Sequence, residues 1–500
     1  MEFDDRAKFD SLFSKFDALP VARRFLSDGL TPVAALQRLR QASTVCLFES
    51  VVGGEKVGRY SFLAANPHRV LLAYQQRVII RESNGTSRES HENNPWEALR
   101  REIQAVRVAP ADDLPPFTGG AVGFASYDAV RFVEPLGPSP PDDRRLPDLA
   151  FAFFDLMIVF DHVTKQLIII ALAWTKRHRT PQLAWEDCCQ RIQQTVDLLF
   201  APSTDILSHE LPAHPVPLPA AQSNMTHQEY VAAVRRAIEY IRAGDIFQVV
   251  LSQRWEVPLV SPPFELYRTL RVLNPSPFMF YVQMPELTLV GSSPEIMCRV
   301  VHGTMTVRPL AGTRRRGVHF AEDLQLESEL LADPKERAEH VMLVDLGRND
   351  VGRVCQFGSI QLPDVMVVER YSHVMHLSST VTGRLRSDCD ALDALVASLP
   401  AGTVSGAPKI RAMQIIDELE PHRRGPYAGA VGYIDYSNNM DTCITLRTMV
   451  IHRDKIYLQA GAGIVADSEP NLEYQETLNK AQGLLQAIAV ANHRCQARSS

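Results

Sequence analysis

Residues 201–224 constrain this chain more than any other stretch. The run APSTDILSHELPAHPVPLPAAQSN carries five prolines among small and polar residues. Proline fixes φ and removes a backbone donor, so regular structure does not run through such a segment. It reads as a linker between an N-terminal region, residues 1–200, and a C-terminal region, residues 225–490. A length of 500 residues exceeds what one core usually serves, which fits two domains or one large composite domain.

The N-terminal region is rich in short apolar runs bounded by turn residues. Val45–Phe48, Val70–Tyr74, Arg77–Ile80, Ala150–Phe160 and Leu167–Trp174 read as strands of an antiparallel sheet. The most apolar stretch, 149–174, is broken by Asp155, Asp161, His162 and Lys165, so it reads as two buried strands and a turn rather than a membrane span. Helical patterns fall near 32–41, 95–106 and 181–200. The C-terminal region opens with a helix over Thr226–Ala243, where Thr226 and Glu229 form a capping-box signature. Strands follow at Val249–Val257, Phe278–Val282, Leu287–Ser292 and Thr304–Arg308, helices near 334–346 and 388–399, and late strands at Thr442–Ile451 and Lys455–Ala460. A last helix covers about 470–492, and no internal repeat is visible. Mixed strands and helices without regular βαβ alternation predict an α+β fold.

A net charge of -6 and a pI near 6.2 give no basic footprint, which argues against nucleic acid as a partner. The eight cysteines contain no C-x-x-C pair and suggest neither zinc nor a disulfide framework. The acidic start MEFDDRAKFD lacks the apolar core of a signal peptide. The expectation is a cytoplasmic enzyme with no membrane partner.

Two helical stretches offer glutamates at i and i+3, namely Glu336 with Glu339 and Glu473 with Glu476. Residues three apart share a helix face, so each pair can aim two carboxylates at one point. Mg2+ takes hard oxygen ligands and keeps several waters, so one or two carboxylates suffice. Such pairs also occur on many solvated helices, and Glu336 fits a capping box behind Asp333. The loop Ala401–Lys409 precedes a helical run and can present free N–H groups to an anion, although the Walker spacing is absent. Gly461 and Gly463 permit close backbone approach to a ligand, or a plain bulge. Arg447 and Lys480 can pair with carboxylates, of a ligand or of the surface. His376 can move a proton or be a satisfied core histidine.

Four blocks resemble one family when taken in order. They are Arg308-Pro-Leu-Ala-Gly-Thr-Arg, Glu339-His-Val-Met-Leu-Val-Asp-Leu-Gly-Arg-Asn-Asp350, Ala401-Gly-Thr-Val-Ser-Gly-Ala-Pro-Lys409 and Gln459-Ala-Gly-Ala-Gly-Ile-Val465. They resemble the signature blocks of the chorismate-utilising enzymes and cover residues 225–490. The resemblance implies a large composite antiparallel β-sheet sandwich flanked by helices. Family members that add water carry a lysine where this chain has Gln248, and aminodeoxychorismate-forming members carry one where it has Ala311. A chain lacking both resembles the anthranilate-forming branch, in which ammonia attacks chorismate and pyruvate is lost. Aminodeoxychorismate formation and a non-catalytic tryptophan sensor are the alternatives.

By that resemblance, Glu339 and Glu476 would hold Mg2+, with Glu336 and Glu473 close by. Tyr427, Arg447, Gly461, Ala462, Gly463 and Lys480 would hold carboxylates, and Gly312, Thr313 and Thr403 would line the ring site. His376, Thr403 and Glu336 are the candidate catalytic residues, with His376 as general acid for the departing hydroxyl. Leu47-Phe-Glu-Ser50 and Asn274-Pro-Ser-Pro-Phe-Met-Phe280 resemble the blocks that bind feedback tryptophan, which implies Glu49, Ser50, Pro277, Phe278, Met279, Val431 and Tyr433 as inhibitor contacts. No cysteine sits in a G-x-C-x-G elbow, so ammonia is expected from a separate glutamine amidotransferase subunit in a hetero-oligomer.

Overall fold

The computed structural model describes residues 5–50, 58–111, 113–202, 210–212, 214–371 and 374–496. Its frame is a pair of twelve-stranded antiparallel sheets, each a path of eleven strands with a twelfth beside it, Gly406–Ala407 against Gln248–Pro258 in the first and Gln361–Arg370 against Val374–Arg384 in the second. The first sheet runs Ala18–Leu26, Gln166–Trp174, Leu156–Asp161, Tyr60–Ala65 and Val45–Glu49, then Phe278–Gln283, Thr288–Ser293, Thr448–His452, Lys455–Ile464, Gln248–Pro258 and Gln222–Ser223. The second runs Leu310–Arg315, Val374–Arg384, Thr304–Val307, Ile296–Val301, Met440–Ile444 and Ala430–Asp435, then Gly120–Ala125, Leu149–Phe154, Arg69–Tyr74, Arg77–Glu82 and Ser87–His91. One apolar layer, including Phe62, Phe280, Val122 and Val431, is shared between the sheets. Helices cover the outer faces, among them Pro181–Phe200 and Pro470–Gln496 on the first sheet.

The proline-rich stretch carries no helix, and its only strand residues are Gln222–Ser223, among the described residues. It divides the sequence but not the sheets, because each sheet takes about half its strands from either side of it. The halves meet along two seams. Val45–Glu49 pairs with Phe278–Gln283, and Gly120–Ala125 pairs with Ala430–Asp435. Gly123 sits opposite Gly432 in the second seam, and a Cβ on Gly123 would lie 1.9 Å from the Ala150 carbonyl oxygen.

Outward from the seams the topology is duplicated, although no repeat is legible in the sequence. In the first sheet Val45–Glu49, Tyr60–Ala65, Leu156–Asp161, Gln166–Trp174 and Ala18–Leu26 match Phe278–Gln283, Thr288–Ser293, Thr448–His452, Lys455–Ile464 and Gln248–Pro258. Four times the chain passes from a strand in one sheet to a strand in the other within one to three residues, at Asn66–His68, Asp155, Pro294–Glu295 and Thr445–Arg447. Two of these crossings correct the sequence reading. Ala150–Phe160 is not one strand but two, Leu149–Phe154 and Leu156–Asp161, in different sheets. Thr442–Ile451 likewise divides into Met440–Ile444 and Thr448–His452. The reason is local. The Asp155 carboxylate accepts from Trp174 Nε1 at 2.7 Å and from Arg191 Nη2 at 2.6 Å, and these bonds hold the chain where the ladder is interrupted.

The predicted helices form at Pro32–Leu39, Pro95–Gln104, Pro181–Phe200 and His227–Arg242, the last with both halves of its Thr226–Glu229 capping box. The expected 334–346 helix runs on to Val354. Beneath the seam lies a buried ion pair. Arg424, 1% exposed, donates to Glu420, to the Val404 carbonyl and to the Val250 carbonyl, each of the latter at 2.7 Å. Glu420 also accepts from the Ser252 amide and hydroxyl, both at 2.8 Å. Removing one partner leaves an uncompensated buried charge. Arg424→Met is therefore expected to cost about 3–5 kcal/mol in urea unfolding, and adding Glu420→Leu should recover much of the loss.

Candidate functional site

The second half of the chain gathers most of the predicted residues at its own pair of crossings. Arg447 lies in the crossing Thr445–Arg447 with φ of 46°, a conformation that non-glycine residues adopt at a cost and that clusters at functional sites. Tyr427 precedes the strand Ala430–Asp435, and its neighbour Ala428 is also left-handed, at 62°. The two loops are laced together, with Ala428 N donating to Thr445 O at 3.1 Å and Thr445 N to Gly429 O at 2.8 Å. The Arg447 guanidinium is largely enclosed, and burial pushes its pKa down. Among the described residues no carboxylate pairs with it. A fixed planar cation of this kind suits an incoming carboxylate.

Gly461 and Gly463 share a face of the strand Lys455–Ile464, and both are needed for close approach. A Cβ on Gly461 would lie 3.0 Å from the Tyr427 hydroxyl, and one on Gly463 would lie 2.6 Å from Gln248 Nε2. The methyl of Ala462 faces the other way, into the core, so only its backbone can meet a ligand. Lys480 donates to the Gly461 carbonyl at 2.9 Å and pairs with Glu476 at 2.7 Å.

The two glutamate pairs stand on two helices within electrostatic reach of each other, since the charge of Glu476 acts on Glu339. Gln248 Nε2 donates to Glu339 at 3.4 Å, and Glu336 accepts from Arg314 at 2.9 Å. Burial raises the pKa of Glu339, and the charges of Glu336 and Glu476 raise it further. Burial and Glu476 also raise Glu473. Asp333 caps the Pro334–Val354 helix through Lys335 N and Glu336 N, which aims the first pair across the gap. Among the described residues, no three acidic, histidine or cysteine side chains stand close enough to make a complete metal site. Carboxylates that raise one another's pKa in this way fit a hard cation held by one or two of them and otherwise by water and ligand oxygens.

His376 sits opposite Thr313 in paired strands, beside the bulge that Gly312 makes with φ of 68°. Its Nδ1 lies 3.0 Å from the Gly312 carbonyl oxygen and 3.1 Å from Thr313 Oγ1. A carbonyl only accepts, so Nδ1 carries the proton and Nε2 keeps its lone pair in the neutral ring. Burial pushes the His376 pKa down, and the Arg447 charge pushes the same way. At neutral pH the ring is therefore poised as an acceptor, which differs from the general acid expected from sequence.

Sequence reasoning missed Glu295, a lone glutamate behind Ser-Ser-Pro in the crossing Pro294–Glu295. It accepts from Thr403 at 3.1 Å, and burial raises its pKa to about 8. A cavity runs inward from Glu295 and Thr403 between Leu343, Gly402, Arg308 and Asp350. The only sequence signal for it is a proline that ends one strand beside a carboxylate among apolar residues.

The predicted inhibitor residues line both seams, but the first sheet divides them. Glu49 and Met279 are opposite one another in register, on the face that packs against Pro263–Leu273. There Tyr267 and Arg271 already hold the Glu49 carboxylate, with Arg271 Nε at 3.0 Å. Phe278, Val431 and Tyr433 belong to the inter-sheet layer, where Tyr433 stacks on Phe117 at 4.2 Å. Pro277 is buried beside them, and Ser50 ends its described segment.

The chain belongs to the chorismate-binding enzymes, whose family model matches residues 45–486. It is similar to anthranilate synthase component 1 of Acetivibrio thermocellus, at 45% identity over 95% of this chain and 96% of that one. It is 45% identical to the protein of that name from Cereibacter sphaeroides, over 93% of this chain and 94% of that one. The crystal structure of anthranilate synthase component I from Streptococcus pneumoniae superposes with a TM-score of 0.77 at 36% identity, covering 93% of this chain and 99% of that one. The isochorismate synthase MenF of Escherichia coli shares the fold, with a TM-score of 0.68 at 19% identity over 97% of this chain and 98% of that one.

Glu295 gives a signed test. Its folded pKa of about 8 stands above the ordinary 4.5, so between those values the folded state keeps a proton that the unfolded chain has released. Its contribution to stability therefore falls as pH rises through that window. Relative to Glu295→Gln, the native protein should lose stability between about pH 5 and pH 8, as urea unfolding at each pH would read.

Proposed function

We propose that this chain is the large component of an anthranilate synthase, converting chorismate and ammonia to anthranilate and pyruvate. The observation that carries this reading is the clamp, with Tyr427 and Arg447, which meets no carboxylate among the described residues, on one side and the glutamate pairs of two helices on the other. Chorismate bears two carboxylates, and this pair of features offers each a place. Two departures from the lysine-bearing branches support ammonia as the nucleophile. Gln248 stands between Gly463 and Glu339, and Ala311 lies buried in the strand beside His376.

The residues divide the work as follows. Arg447 and Tyr427 take one carboxylate of chorismate, and Lys480 leaves Glu476 to meet the other. Ammonia adds at C2, the ring double bonds shift, and the C4 hydroxyl departs as water. Hydroxide leaves poorly, so the proton comes from Glu295, a carboxyl still protonated at neutral pH and steadied by Thr403. The added nitrogen returns a proton to solvent. His376, neutral with a free Nε2, then removes the C2 proton as the C3–O bond breaks. The enolpyruvyl fragment gains a proton at its methylene carbon and leaves as pyruvate. Mg2+, held by Glu339 and Glu476 with Glu336 and Glu473 beside them, would neutralise the ring carboxylate.

Ammonia is proposed to come from a glutamine amidotransferase subunit in a hetero-oligomer. The eight cysteines are all free thiols, and burial raises several of them, Cys46 and Cys188 to about 12. Such thiols make poor nucleophiles and fit a reducing, cytoplasmic setting. No helix among the described residues is long and apolar enough to cross a membrane. Tryptophan feedback is proposed at the seam around Ser50, Phe278 and Tyr433.

Purified protein given chorismate, Mg2+ and an ammonium salt should yield anthranilate and pyruvate by liquid chromatography with mass detection, and chelation should stop it. Aminodeoxychorismate or isochorismate as the product would overturn the reading. Arg447→Lys loses the bidentate fork and should lower kcat/KM for chorismate about a hundredfold. Ser50→Phe should weaken tryptophan inhibition in the same assay while leaving kcat intact. Unchanged inhibition would remove Ser50 from the regulatory site.

A further inference from the structure

Against Tyr427 lies a small cavity. Arg144, Arg254, Tyr427, Thr445, Tyr457 and Gln459 line it, and it has room for little more than a water-sized molecule. Two polar atoms of its lining have no partner among the described residues. One is the hydroxyl of Thr445, a fully buried residue in the crossing Thr445–Arg447, and the other is Gln459 Oε1. The orientation of the Gln459 amide is fixed, because Nε2 donates to Ser252 Oγ at 2.9 Å and that hydroxyl donates to Glu420. The cavity therefore offers one hydroxyl and one obligate acceptor. A buried polar atom without a partner costs about 1–3 kcal/mol, so the site is built for a small occupant with both a lone pair and N–H or O–H donors.

The charge of the walls narrows the choice. Arg254 pairs with Asp143, and Arg144 donates to the Arg423 and Arg424 carbonyls at 3.1 and 2.8 Å. Asp143 stands 3.9 Å from Arg144, so two buried guanidinium groups share one carboxylate, and both lean over the Tyr457 ring. This positive surround repels a cation such as ammonium. An anion is disfavoured by the bare Gln459 oxygen. Tyr427 links the cavity to the clamp, lining the one while its hydroxyl lies 3.0 Å from where a Cβ on Gly461 would stand.

We propose that this cavity is a holding site for neutral ammonia, which accepts the Thr445 hydroxyl proton at its lone pair and donates to Gln459 Oε1, one side chain away from the chorismate clamp. The proposal rests on the anthranilate-forming reading and names where that reaction draws its nucleophile from. It also gives the pocket a means to reject ammonium, the more abundant form at neutral pH.

The test is steady-state kinetics of the purified chain with ammonium salt and Mg2+, varying ammonia and chorismate in turn. Thr445→Val removes the hydroxyl and keeps the shape. It should raise KM for ammonia about tenfold, the fold-change for one lost buried hydrogen bond, and leave KM for chorismate unchanged. Thr445→Ser keeps the hydroxyl and should restore the native KM. Should the valine variant fold poorly in a thermal melt, Thr445→Ala serves with the same expectation. An unchanged KM for ammonia in a folded variant, with the native protein active, would mean that the cavity holds only water and would overturn the proposal. A rise in KM for chorismate that serine does not rescue would overturn it as well. No ammonia-dependent product from the native protein would sink the functional reading and this inference with it.

Discussion

The structure depends on strands that end in one sheet and resume in the other. At each crossing the backbone leaves a ladder, and its polar groups are stranded between two apolar layers. Those groups must find partners, because water does not reach them. The first half meets this need within itself. His68 N donates to the Phe153 carbonyl at 2.9 Å, and Asp155 is held by Trp174 and Arg191. In the second half Ile444 N donates to the Glu295 carbonyl at 3.0 Å and Ser292 N to the Arg447 carbonyl at 3.2 Å. Backbone groups find partners at crossings in both halves, but in the second half the charge of Arg447 meets no carboxylate among the described residues.

That difference separates a structural half from a chemical one on the same topology. The Asp155 crossing carries a carboxylate surrounded by cations, with Arg177 also 3.7 Å away. The matching crossing carries Arg447, a cation with no carboxylate among the described residues. Glu295, at the place that His68 holds in the first half, is kept protonated by the same burial that keeps His68 neutral by lowering its pKa to about 4. One fold element thus hosts either a closed network or an open site, depending on whether the charges cancel locally.

Much of the site was legible because its residues come with rigid spacing. Glutamates at i and i+3 on a helix, and glycines at i and i+2 on a strand, mean what they mean wherever the helix or strand lies. The second-half strands and the capped helix after Thr226 were legible for the same reason. Glu295 was not, because its chemistry comes from burial at a crossing, and no local pattern marks a change of sheet. Ala150–Phe160 looked like one strand because both sheets bury the same alternation, so the period of two continues across Asp155. Nothing in the composition of the proline-rich stretch reveals that strands on either side of it pair with each other. The protonation state of His376 depends on the Gly312 carbonyl, which the bulge brings into reach and the sequence does not show.

The seams have a consequence for how the chain is made. Val45–Glu49 must wait for Phe278–Gln283, about 230 residues on, and Gly120–Ala125 must wait for Ala430–Asp435, about 310 residues on. A ribosome therefore releases most of the protein before either sheet can close. Until then the first half holds two open edges of unpaired N–H and C=O groups, each flanked by the apolar inter-sheet layer. Fragments that stop before residue 278 keep both edges exposed, those that stop before residue 430 keep the second, and either invites pairing with other chains, so the protein is obliged to fold late and as a whole.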